Sequence, residues 1–141
     1  MEWVKSNKNK TINGYLNHFW NGVTCLELSK HISDIIKTNS YWKGVKHYFS
    51  PDTVSKYQLV SYINEIYELG NEVVPIMSNY CDRSLTTKYI SSVKTSIKNQ
   101  ILELKNYNLK SSLTNKEKLK DRKSTRLNSS HVSESRMPSS A

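Results

Sequence analysis

Alanine is missing from the first 120 residues; the one Ala in the sequence is Ala141. Glycine is nearly as scarce. Gly14, Gly22, Gly44 and Gly70 stand far apart, so no glycine-rich phosphate loop and no Walker loop can form. No G-x-S-x-G elbow is present, and no Tyr is followed by Lys four positions later. The nearest cases are Tyr89 with Lys94 and Tyr107 with Lys110. The carboxylates are scattered, without a close pair suited to acid–base work. The only cysteines are Cys25 and Cys81, and neither has a second Cys or a His at metal-ligand spacing, which argues against a zinc site. No apolar run approaches membrane-spanning length. Met1 is followed by the polar "EWVKSNKNK" and not by a signal-peptide core. A cytoplasmic protein with two free thiols is the expectation, with Cys25 as a small core residue inside a helix.

What is there is basic. The chain carries net charge +9; residues 1–120 hold 17 Lys and Arg against 10 Asp and Glu, a net +7. The lysines are dispersed, as on a solvated face, and only Lys116, Lys118 and Lys120 approach a run. A nucleic-acid module would cluster them. The last 21 residues differ in kind. They hold three of the four Arg, seven Ser, and no Ile or Tyr. Back-translated, residues 121–131 and 135–141 resemble a common short-read sequencing adapter, so 121–141 is expected to be a non-native tail and is left out of the fold reading. Three stretches are expected: a folded unit over 1–108, a Lys- and Ser-rich disordered segment over 109–120, and the tail.

Along the chain, "TINGYLNHFWNG" reads as a strand or extended loop ending in a turn at Asn21-Gly22. Thr24 and Glu27 stand in capping-box relation, and Leu28, Ile32, Ile35 and Ile36 follow at helical spacing, which predicts a helix over about residues 24–38. Val45, His47 and Phe49 alternate with polar neighbours as in a half-buried strand. Ser55, with Gln58 three residues on, opens the strongest helix, lined by Leu59, Val60, Ile63, Ile66 and Tyr67. Gly70 lies where its C-terminus favours a left-handed residue. "EVVPIM" reads as a short strand held to an edge by Pro75. "NYCDRSLTTKY" reads as irregular. A last helix starts at Thr95 or Ser96, with Ile97, Ile101, Leu102 and Leu104 on its apolar face, and fades after Asn108. The fold class is α/β, three main helices with short strands.

Two polar and aromatic loops are the candidates for chemistry. "GYLNHFWNG" gathers Asn17, His18, Trp20 and Asn21 before a helix: rings on which bases or sugars stack, and groups that orient hydroxyls. Equally, Phe19 and Trp20 could be core plugs and Asn21-Gly22 merely a turn. "YCDRS" holds Arg83, the only Arg before the tail. Its planar fork matches phosphate or carboxylate, where Lys gives a point charge. The bland reading is a salt bridge to Asp82 or another acid.

"INGYLNHFWNGVTCLELSKHI", "YWKGVKHYFSPDTVSKYQLVSYINEIYEL" and "CDRSL" resemble the C-terminal part of sugar-nucleotide reductases of the dTDP-4-dehydrorhamnose reductase type, in the extended short-chain dehydrogenase/reductase family. The resemblance covers about residues 2–108. It implies the C-terminal substrate-binding lobe of a Rossmann-type fold, the N-terminal part that binds NAD(P)H and carries Tyr-x-x-x-Lys being missing. It implies a nucleotide-sugar substrate, contacted by Asn17, His18, Trp20, Asn21 and Arg83, and a fragment inactive alone, with no catalytic, cofactor-binding or metal residue of its own. Arg83 is the best candidate for the diphosphate or the nucleotide; Ser84 follows it where many relatives have Pro. Neither nucleic acid nor membrane is expected as a partner, and a homodimer of the full-length parent is allowed. The alternative is a stand-alone basic module that binds a nucleotide or nucleic acid.

Overall fold

A computed structural model describes residues 1–89 and 93–129, with the side chains of the last helix as far as residue 114. The chain divides into a compact unit over Met1–Lys105 and a second that begins at Asn106.

The first unit is organised by its strongest helix, α3 (Lys56–Tyr67). Ser55 caps it as the S-x-x-Q spacing predicts: Ser55 Oγ accepts from the Gln58 N–H at 3.1 Å and Gln58 Oε1 from the Ser55 N–H at 2.8 Å. Val60, Ile63 and Ile66 turn one face inward. They meet Val4 of α1 (Glu2–Ser6), Ile12 of β1 (Thr11–Tyr15), Val54, Leu69, and Ile97 and Ile101 of the last helix. Each such burial stabilises by about 1.5–3 kcal/mol. The left-handed cap comes two residues earlier than the glycine suggests. Glu68 takes the left-handed cap at φ +52°, and Gly70 follows at φ +68°.

α3 packs across a parallel pair, β1 and β4 (Glu72–Ile76), in register from Thr11↔Glu72 to Tyr15↔Ile76. Pro75 faces Gly14 in this pair, and β4 has β1 as its sole strand partner among the described residues, the edge position that a proline tolerates. Gly14 is there for close approach: a Cβ on it would stand 2.8 Å from the Tyr57 Cα in the first turn of α3. Beside this pair, β2 (His18–Trp20) lies between β3 (Val54–Ser55), antiparallel, and β5 (Cys81–Asp82), parallel. The segment read as irregular therefore contains a short strand.

α2 (Cys25–Thr38) starts where Thr24 Oγ1 accepts from the Glu27 N–H at 3.3 Å. Its apolar stripe forms as the spacing predicts, but Leu28, Ile32 and Ile36 remain exposed. Cys25 is also exposed, at the first position of the helix, and is not a core residue. Residues 45–49, patterned as a strand, form none: alternation makes a strand only when another backbone lies alongside, and Val45 is 82 % exposed.

α4 (Ile97–Ser129) opens at Ser96, and Ile97 and Ile101 are buried to 1 % exposure. Leu102 lies about 100° round the helix from Ile101 and is exposed. The helix continues through 109–120, where fading apolar spacing pointed to disorder. No Gly or Pro interrupts residues 97–129, and Lys, Leu and Glu favour helix without packing. Leu109 and Leu113 are exposed. Of the expected adapter-like tail, residues 130–141 lie outside the described residues. No helix among the described residues is long and apolar enough to cross a membrane.

Candidate functional site

The β2–β5 pairing brings the two candidate loops together, and asparagine side chains hold them there. Asn17 Oδ1 accepts from the Ser78 N–H at 3.1 Å while its amide donates to the Ser78 carbonyl, and the Cys81 N–H donates to the Asn17 carbonyl at 3.1 Å. Asn21 is buried. Its Nδ2 donates to the Leu85 carbonyl at 2.9 Å, and its Oδ1 accepts from the Leu85 N–H at 2.7 Å. Its own carbonyl accepts from the Ser50 N–H at 2.7 Å. These amides mimic strand pairing where the strands stop, so both residues spend their polar atoms on the chain itself.

His18 Nε2 lies 2.9 Å from the Asn79 carbonyl. A carbonyl only accepts, so Nε2 carries the proton, and in the neutral ring Nδ1 keeps a lone pair. The ring stacks on Tyr15 with centroids 4.5 Å apart. Trp20 packs against the core and its ring covers Gly22, which suits the core-plug reading. Arg83 is different. Its N–H donates to the Phe19 carbonyl at 3.0 Å, its side chain is exposed, and among the described residues its guanidinium has no ion-pair partner. Asp82 does not bridge to it. That carboxylate accepts from the Ser84 N–H at 2.8 Å, and the bonds from Ser84, then Tyr80, hold it below the usual carboxylate range. His18 and Trp20 of β2 and Arg83, just past the end of β5, thus come from neighbouring strands whose ends are tied by Asn17 and Asn21.

A second feature carried no sequence signal, because its walls come from three separated stretches. A cleft of about 400 Å³ opens between the exposed stripe of α2, residues 40–48, and Thr87 with Tyr89. His31 stacks on Tyr48, with centroids 3.9 Å apart and planes 10° from parallel. Lys46 holds its ammonium 4.7 Å from the Trp42 ring centroid and 5.5 Å from that of Tyr89. His47 Nδ1 lies 2.9 Å from the Thr86 carbonyl, so Nδ1 carries the proton and Nε2 is left for another partner. Behind α2, Lys30 lies 2.6 Å from Glu27 and 2.7 Å from Glu103, and these acids raise its pKa. Burial, then the Glu27 charge, pushes the Tyr48 hydroxyl up. Among the described residues no group of three His, Cys, Asp or Glu could hold a metal ion.

No protein-family model matches the chain, and no curated protein matches it by sequence. Solved structures do match its fold. The dTDP-4-dehydrorhamnose reductase of Clostridium acetobutylicum superposes with a TM-score of 0.59 at 11% identity, over 77% of this chain and 42% of that one. The reductase of Yersinia enterocolitica gives 0.52 at 13% identity, over 72% and 39%. That of Bacillus anthracis, solved in complex with NADP, gives 0.54 at 12% identity, over 72% and 38%. The chain spans about two fifths of the length of these reductases, and the likeness is one of fold: mixed α/β, matching part of a Rossmann-like enzyme.

Proposed function

We propose that the chain is the substrate-holding lobe of a sugar-nucleotide reductase related to the dTDP-4-dehydrorhamnose reductases, and that it contributes nucleotide-sugar binding without catalysing reduction by itself. The observation that carries this reading is Arg83. It is a guanidinium without an ion-pair partner among the described residues, just past the end of β5 with its N–H on the Phe19 carbonyl of β2, in a fold that such reductases also contain. Its planar fork suits two oxygens of a diphosphate. Nδ1 of the neutral His18 ring offers a lone pair to a sugar hydroxyl, and Trp20, packed against the core, anchors β2. Asn17 and Asn21 act as positioning residues: they hold residues 78–85 so that Arg83 stays in place.

The residues present do not fit a nicotinamide cofactor. β1 leads into a second strand, β2, and not through a glycine-rich turn into a helix. No Tyr-x-x-x-Lys supplies a proton. In the parent enzyme NAD(P)H would supply the hydride from outside this lobe, and this chain's part is to bind and orient the nucleotide sugar. Supporting the reading are the fold of the three reductases and the NADP bound to one of them.

The test is calorimetric titration of dTDP-glucose onto the purified chain. The expected result is binding that weakens at least tenfold in Arg83→Ala, with only part of the loss in Arg83→Lys. Equal affinity of wild type and Arg83→Ala would overturn it.

A further inference from the structure

We propose that the cleft between α2 and residues 40–48 is a binding site for a planar aromatic ring carrying an anionic group, an aryl phosphate or aryl carboxylate. This goes beyond the β2–β5 patch and uses none of its residues.

Three properties point to that chemistry. The first is shape and surface. At about 400 Å³ the cleft is in the size range of small-molecule sites, roughly 300–1,000 Å³. Its walls are aliphatic along Leu28, Ile32 and Ile35 and aromatic at Trp42, Tyr48 and Tyr89. Flat apolar walls suit a flat apolar guest, because rings gain most from offset or edge contact with other rings.

The second is charge. No Asp or Glu lines the cleft; its ionisable groups are Lys46, His31 and His47, with the tyrosine hydroxyls. Of the acids around it, Glu27 and Glu103 both bind Lys30, and Asp34, whose charge reaches Tyr48, is not among the lining residues. Lys46 has no carboxylate partner among the described residues, and its ammonium rests over the Trp42 and Tyr89 rings. A cation held by ring faces alone still attracts an anion and repels a second cation, so an anionic guest is favoured.

The third is preorganisation. His31 is stacked flat on Tyr48. The Thr86 carbonyl holds His47 with Nε2 left over. Thr87 Oγ1 accepts from the Tyr89 N–H at 3.1 Å, which fixes the turn that presents Tyr89. The guest's ring would stack along Trp42 and Tyr89, and Lys46 would turn its ammonium from the rings to the anionic group.

The experiment titrates four probes onto the full chain by calorimetry. Phenyl phosphate and phenylacetate combine ring and anion and separate phosphate from carboxylate. Inorganic phosphate and benzyl alcohol each carry one half. The expected result is millimolar or tighter binding of at least one combined probe, at least tenfold tighter than either half. Lys46→Met and Trp42→Leu should each weaken it at least tenfold, while Arg83→Ala leaves it unchanged. Both altered side chains are at the surface, and an unchanged thermal midpoint shows that the fold survives. Binding of the combined probes no tighter than of the halves, no binding at all, or binding indifferent to Lys46 and Trp42 would overturn the proposal. A ligand weakened by Arg83→Ala and not by Lys46→Met belongs to the β2–β5 patch, and the reverse pattern belongs to the cleft, so the two proposals fail separately.

Discussion

Replacing Asn21 with Ala separates structural from ligand-binding use of the aromatic loop. The wild-type amide makes two hydrogen bonds to the backbone of Leu85, at 2.9 and 2.7 Å, from a position that is 4 % exposed. Each is worth about 1 kcal/mol net. The bond from the Ser50 N–H goes to the Asn21 carbonyl and survives in Ala. The Leu85 groups lie on a partly exposed residue, so water re-solvates part of what is lost. The expected loss is therefore about 2 kcal/mol, and not the larger penalty of stranding a dry polar group. With a urea m-value of about 1–2 kcal/mol/M, the unfolding midpoint should fall by about 1–2 M. Asn21→Asp keeps the acceptor for the Leu85 N–H but sets a buried, unpaired carboxylate oxygen against the Leu85 carbonyl, and should lose at least as much as Asn21→Ala. Arg83→Ala removes an exposed side chain without an ion pair among the described residues, and should stay within about 0.5 kcal/mol of wild type. A midpoint unmoved in Asn21→Ala, together with lost dTDP-glucose binding, would refute the argument: the amide would then serve the ligand and not the chain.

Other substitutions follow from the same geometry. Gly14→Val drives a side chain into the Tyr57 backbone and should destabilise by about 1–3 kcal/mol, read as a lower urea midpoint. Gln100 is buried to 1 % exposure; its Nε2 donates to Ser50 Oγ at 2.9 Å and the Thr95 carbonyl at 2.7 Å, and its Oε1 accepts from the Thr24 N–H at 3.1 Å. Gln100→Ala should lose about 3 kcal/mol and speed hydrogen exchange in the first turn of α2. Lys30 and Tyr48 both have folded pKa values above their ordinary 10.5 and 10.0, so the folded chain holds these protons longer than the unfolded one. Their stabilisation is complete below about pH 10 and is lost as pH rises through the folded values. Urea midpoints measured from about pH 8 upward should fall less steeply in Tyr48→Phe than in wild type.

Local rules that act within a few residues were readable directly. T-x-x-E at Thr24 and S-x-x-Q at Ser55 each mark the helix start that the structure has. The aliphatic spacing of α3 names the three residues, Val60, Ile63 and Ile66, around which the rest of the core gathers. The misreadings arise where the outcome depends on distant chain. The Val45–Phe49 alternation is a strand in pattern only, because pairing is a property of two segments. Cys25 stands in a helical pattern, but at a first turn that faces outward. α4 persists past Asn108 because helix needs only the absence of a breaker, whereas a core needs the apolar stripe that stops there. At the site, both loops were legible from composition. That Asn17 and Asn21 are occupied by backbone 61 and 64 residues away was not. Nor was the cleft, since no spacing rule links Leu28, Trp42 and Tyr89.

On the function proposed above, this lobe holds a nucleotide sugar and leaves the cofactor to other structure. The most direct measurement is a paired calorimetric titration of the purified chain with dTDP-glucose and with NADPH. The expected result is saturable binding of dTDP-glucose, dependent on Arg83, and no binding of NADPH in the same concentration range. Tight binding of NADPH, or no binding of dTDP-glucose, would contradict it.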